Sequence, residues 1–281
     1  MKKKTSEEIF LSPLIPAAAV FFSLAAVLSF ISLIWLFAPS YRLLLQEDMI
    51  LAGYTDLSAL ITYTVLNTGI TLISFLGPCI LAVCLWICVS GRRIRGTLLL
   101  STATEILLKI WRIIGILVVS VFVIRVIIYI PSTFKSDLAV YLLFALFLFE
   151  SFMMVVAVCV YRLIRKFLNN ILDTAAAAGY ALASGKPEEC FIPGFAANGF
   201  LLLVPVCAVL AFDRVCTLTI MPHPIQDYYA LLVAEHPVMW ITGIGLVTAA
   251  IGNILMFLYL RRCKRETERC SFFLNREAEE K

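Results

Sequence analysis

Residues 14–38 read LIPAAAVFFSLAAVLSFISLIWLFA, twenty-five positions without a charge. As a helix rising about 1.5 Å per residue, that run is longer than the ~30 Å hydrocarbon core of a bilayer. Its apolar side chains cover every face, a pattern that suits lipid or a deep protein interior rather than water. The preceding MKKKTSEEIFLSP has the form of a secretory signal head, but a signal core is about 7–15 residues, so a retained first span is expected.

Composition extends the argument to the whole chain. Of 281 residues, 62% are hydrophobic and 15% charged. Soluble domains carry about 25% charged residues, and a single soluble core cannot hide this much apolar side chain. An all-α, polytopic transmembrane helix bundle is expected, forming one integral membrane domain over residues 1–281. The spans fall at about 14–38, 66–89, 113–130, 138–160, 195–212 and 238–260. The second span has room to begin near Leu57. Pro78 and Pro205 should bend the second and fifth.

The basic residues give a direction. With the N-terminus inside, nineteen of the 23 Lys and Arg fall on one side, three fall outside (Arg42, Lys135, Arg214) and one, Arg125, lies within a span. That split satisfies the positive-inside rule for six spans, N-in and C-in. Trp35 and Trp240 fall at outer ends and Trp86 and Trp111 at inner ends, as an aromatic belt requires.

Two connections on the basic side have helical periodicity. Ser101, Glu105, Lys109 and Arg112 share a face in 98–112. In 162–173, Ile164, Phe167, Leu168, Ile171 and Leu172 oppose Arg162, Arg165, Lys166, Asn169, Asn170 and Asp173. Both segments, the second continuing to about 184, read as amphipathic cytoplasmic-side helices. They either lie on the inner leaflet or extend spans three and four. Residues 261–281 form a basic tail, expected as a frayed helix. Small residues mark packing faces at Ala175, Gly179 and Ala183, at Gly245, Ala249 and Gly252, and at Ala25, Ser29 and Ser32.

Arg125 and Glu150 are the two charges inside spans. An unpaired Arg near mid-membrane costs about 2.5–3.5 kcal/mol on insertion scales. Measured from the basic side the two sit nearly level. Measured from the other side they do not. They are therefore a candidate intramembrane pair, with outward snorkelling of Arg125 and a role in moving protons or solute as alternatives. Thr64, Asn67, Thr68, Thr71 and Ser74 form a candidate polar stripe, read as interhelical hydrogen bonding or the lining of a water-filled path.

No reaction motif appears. His223 and His236 have no metal-ligand spacing, and Cys79, Cys84 and Cys88 do not share one face. GYALASGKP fails as a phosphate loop, because Pro187 stands in the Ser/Thr position. Neither catalysis, a cofactor, a metal nor nucleic-acid binding is expected. The nine cysteines lie mostly in apolar runs, which argues against a disulfide-built exterior, and the chain has no Asn-x-Ser/Thr sequon. A bacterial plasma-membrane location follows as an expectation. The expected partners are the lipid bilayer, a cytoplasmic or membrane protein, or a second copy. The layout is similar to that of ABC exporter membrane domains, whose inner extensions are much longer, and the similarity is one of layout alone. Two functions remain open: a transport-related, permease-like subunit, or a non-catalytic scaffold binding a partner through its cytoplasmic-side helices.

Overall fold

The computed structural model describes residues 10, 12–36, 72, 75–132, 137–186, 190–219 and 238–279. Within these, only the backbone is described over most of 121–150, over 213–219 and over 273–279. Among the described residues the structure is all-helical, with six helices and no strand. They are α1 (Leu14–Leu36), α2 (Phe75–Val89), α3 (Arg93–Ser132), α4 (Asp137–Ser184), α5 (Gly194–Thr219) and α6 (Val238–Glu279).

Local chemistry sets the ends. Ser12 caps α1, its Oγ accepting from the Leu14 N–H at 3.3 Å, with Pro13 at the first helical position. α2 closes on Gly91, whose φ of +83° is the left-handed conformation that side chains resist. Gly185, at φ +72°, closes α4 in the same way. Pro205 sits inside α5 and removes the donor that Leu201's carbonyl would otherwise accept.

Three helices are long and apolar enough to cross a membrane: Leu14–Ile34, Gly194–Phe212 and Trp240–Phe272. Phe75–Val89 is apolar but shorter. The expected spans at 113–130 and 138–160 fall on continuous helix, mostly where side chains are not described. The segments 98–112 and 162–184 are not separate leaflet-lying elements. Each continues without a break into the apolar half of α3 or α4, because nothing between the halves, neither Gly-Pro nor a capping residue, interrupts the backbone ladder. The tail likewise continues α6 to Glu279 rather than starting a new element.

The packing is inverted relative to a soluble bundle. In α1 the buried side chains are mostly small, Ala18, Ala19 and Ala25 with Phe22, while Val20, Leu24, Val27 and Ile34 face outward, each 45–57% exposed. A monomer in water rarely tolerates such a surface, whereas small residues at helix contacts and large ones toward lipid are the membrane pattern.

The expected small faces meet. Antiparallel α1 and α6 approach where a Cβ on Gly245 would lie 3.2 Å from Leu28 Cβ and one on Gly252 would lie 3.0 Å from the Phe22 ring. Ser32 and Thr242 hydroxyls complete that seam at 2.9 Å. α5 packs on the other side of α6, where buried Asn253 donates to Cys207 Sγ at 3.9 Å. α3 and α4 form a second antiparallel pair. Trp111 stacks on Tyr161 at 5.8 Å and donates to its carbonyl at 3.2 Å, and Gly179 faces Thr97. Glu105 and Lys109, on the polar face expected in 98–112, pair at 2.9 Å on the exposed side of α3. Where α4 meets α5, Phe167 lies edge-on to Phe200 at 5.2 Å, its ring seated over Gly199.

Candidate functional site

The start of α1, the end of α2, the start of α3, the late turns of α4, the start of α5 and the middle of α6 converge at one end of the bundle. That end carries Arg92, Arg93 and Arg95, with Arg261, Arg262, Lys264 and Arg265 on α6. All six helices line a cavity there of about 440 Å³. The volume lies within the ~300–1,000 Å³ range of small-molecule sites.

Its wall is nearly all hydrocarbon and ring. Leu81 and Leu85 come from α2, Ile171 and Ala178 from α4, Phe200 from α5 and Met256 from α6. Leu85, Phe200 and Met256 are among the most buried apolar residues of the described core. Small residues create the space: Ala175, Ala178 and Ala196 stand where longer side chains would fill it.

The polar groups are few and separable. Thr97 Oγ1 donates to the Ile94 carbonyl at 2.9 Å and Thr174 Oγ1 to the Asn170 carbonyl at 2.6 Å, so each hydrogen is used within its own helix. Tyr259 and Cys263 hydrogen-bond to each other. Ser12 Oγ accepts from Leu14 N and from Arg262 Nη1 at 3.5 Å, which leaves its own hydrogen to donate. Among the described lining residues Arg93 is the one cation and none is Asp or Glu; its Nη1 is buried. Next to the cavity wall, Cys190 packs with Phe10, Ala178, Ile192 and Cys263, and burial pushes its thiol up to about 11.

The sequence-derived candidates fall elsewhere. Arg125 lies on α3 and Glu150 on α4, and neither side chain is among those described. The stripe Thr64, Asn67, Thr68, Thr71 and Ser74 lies outside the described residues, as do His223 and His236. Among the described residues no group of three or more His, Cys, Asp and Glu could hold a metal. Gly179 and Gly185, which give GYALASGKP its phosphate-loop look, serve as a helix contact and a helix cap. Arg93 entered the sequence argument only as one of nineteen orienting charges. The signal that could have singled it out is its position at the first turn of a helix, directly after a glycine-closed one.

Three long apolar helices and lipid-suited packing mark the chain as a helical membrane protein. No protein-family model, curated protein or solved structure matches it.

Proposed function

We propose that this chain is a permease-like, transport-related membrane protein, crossing the bilayer six times with both ends on the cytoplasmic side. It has no covalent chemistry of its own and admits a largely apolar solute to the cavity at its basic end. The observation that supports this most is the cavity: about 440 Å³ of space lined by all six helices in a bundle that elsewhere uses small residues to close its seams. The topology rests on the sidedness of the Lys and Arg residues. A plasma membrane, and a bacterial one, fits the basic sidedness and the missing sequon.

Two measurements test the reading. In a cysteine-free background, a cysteine at position 276 should resist an impermeant maleimide added to intact cells, and one at position 135 should react. Labelling of the tail would overturn the topology. An uncharged C16 alcohol carrying a diazirine should cross-link in purified protein to the cavity wall, at Leu85, Phe200 or Met256. Labelling confined to lipid-facing positions such as Val20 and Leu24 would overturn the solute site. One observation favours a scaffold instead: α4 and α6 continue far past their apolar halves, to Ser184 and Glu279, and present polar surface to a partner. A bound ATPase co-purifying in mild detergent would favour transport. A partner held by these extensions, with an unlabelled cavity, would favour the scaffold.

A further inference from the structure

We infer that the outward flank of the α3–α4 hairpin is a binding site for an anionic phospholipid of the inner leaflet, its phosphate held by Arg112, Arg162 and Arg165 and its chains lying over Ile116 and Val155. The inference rests on the six-span reading above, which sets the depth of these residues, and it is independent of the solute cavity.

Register and rotation bring the three arginines together. Thr97 faces Gly179 and Gly115 faces the Tyr161 ring, so Arg112 on α3 stands level with Ile164 on α4, between Arg162 and Arg165. All three lie within about 4.5 Å along the helix axes. Arg112 directly follows Trp111 and Arg162 directly follows Tyr161, whose rings stack at the contact. One step along a helix turns by about 100°, and in an antiparallel pair that step leads to the same side on both helices. Arg165, three positions past Arg162, shares its face. The cavity lies on the other flank, where Leu100 of α3 and Thr174 and Ala178 of α4 reach its wall. The arginines therefore face outward, and all three are exposed.

Among the described residues no side chain of the three makes an ion pair or hydrogen bond, and the neighbouring acid Glu105 is held by Lys109 at 2.9 Å. Like charges this close repel, more strongly at a lipid interface than in water, and an anion between them relieves the repulsion. Guanidinium forks suit phosphate oxygens. Depth selects a lipid as the source. Arg112 and Arg162 are the first charges beyond the apolar runs that begin at Ile113 on α3 and end at Val160 on α4, beside a Trp–Tyr stack, where headgroups lie. Ile116, one turn on from Arg112, and Val155, two turns before Arg162, stand exposed on the same flank. An acyl chain covers that hydrocarbon; an acidic peptide or free phosphate would leave it bare.

The test uses the full-length protein in mild detergent and native mass spectrometry with chain-matched phosphatidylglycerol and phosphatidylcholine. Phosphatidylglycerol should bind about tenfold more tightly, the factor expected for a charge-assisted hydrogen bond. Arg112→Gln/Arg162→Gln/Arg165→Gln should remove that preference and leave phosphatidylcholine binding unchanged. Arg92→Gln/Arg95→Gln/Arg265→Gln removes as many exposed cations elsewhere and should keep it. Phosphatidylglycerol with a diazirine in its acyl chain should cross-link at Ile116 or Val155, and this map together with the wild-type ratio decides if the first triple variant does not fold. Equal binding of the two lipids, equal loss in both triple variants, cross-linking confined to the cavity wall, or displacement of the lipid by excess glycerol phosphate overturns the site. Maleimide labelling of the tail at position 276 overturns the six-span reading beneath it. Any of the former results with the tail protected overturns this site alone.

Discussion

Gly199→Ala tests the seam between the two halves of the bundle. A Cβ at position 199 would run into the Phe167 ring, with Cγ, Cδ2 and Cε2 all inside 3 Å. Phe167 has little freedom to yield, because it lies edge-on to Phe200 at 5.2 Å and packs on the cluster containing Ala196 and Met256. Overpacking of this kind costs about 1–3 kcal/mol, and the immobile ring argues for the upper half of that range. Replacing a helical Gly by Ala returns up to ~1 kcal/mol of helix propensity, so the net loss is about 1–2 kcal/mol. At roughly 2–4 °C per kcal/mol, the apparent Tm should fall by roughly 2–8 °C. The control is Gly243→Ala in α6, where nothing lies within 4 Å and only the propensity gain applies. Both variants should be followed by detergent size-exclusion after heating at a fixed rate, since membrane proteins tend to unfold irreversibly. Gly199→Ala/Phe167→Leu should recover part of the loss, because trimming the ring relieves the same contact. A Gly199→Ala Tm at or above that of Gly243→Ala would refute the reasoning.

Three further outcomes are expected. From Trp111 to Arg125 is fourteen residues and from Tyr161 back to Glu150 is eleven, so the antiparallel register leaves the two within about three residues, or ~4.5 Å along the axis. Arg125→Leu and Glu150→Leu should each lower folded yield, and the double variant should recover some of it; strictly additive losses would remove the pairing. Ser32→Ala breaks the 2.9 Å contact with Thr242 and should cost about 0.6 kcal/mol, the average for interhelical bonds in membranes, read as a Tm fall of no more than a few degrees. In a variant retaining only Cys190, the folded thiol binds its proton more tightly than an exposed one, so its stabilising share is whole below about pH 9 and is lost as pH rises toward about 11. Iodoacetamide alkylation of that thiol should climb about tenfold per pH unit through pH 10, and a plateau near pH 9 would contradict the burial.

What the sequence made legible follows from the range of each interaction. α1 was readable from its first residue, Leu14, because twenty-five uncharged positions leave no other solvent. The small faces were readable because close helix approach needs Gly, Ala or Ser at fixed helical spacing. Ala25 and Ser29 do meet Gly245, while Gly252 receives the Phe22 ring and Ser32 meets Thr242. The Glu105–Lys109 pair was readable because both partners lie on one helix. The continuity of α3 and α4 was less legible. A change from apolar to amphipathic pattern marks a change of solvent, from lipid to its interface, and leaves the backbone free to run straight on.

The cavity was not legible for a different reason. It has no motif, because each helix supplies only a few residues and none of them is unusual on its own helix. It arises from where the packing is tight. α1, α5 and α6 are drawn together through Gly245, Gly252 and the Ala faces, while α3 and α4 are held by the Trp111–Tyr161 stack. Among the described residues these two groups touch through Phe167 on Gly199 and Phe200, through Lys166 lying over the Phe195 ring at 5.0 Å, and through Ala178 and Ala181 packed with Phe10, Ile192 and Cys263. Bulky rings at that junction hold the groups apart, and the alanines above it do not fill the gap. A seam of glycine would have closed the space, and a charged lining would have needed partners that six separate helices rarely supply together. A largely apolar cavity is what remains when two tightly packed helix groups are spaced by phenylalanine.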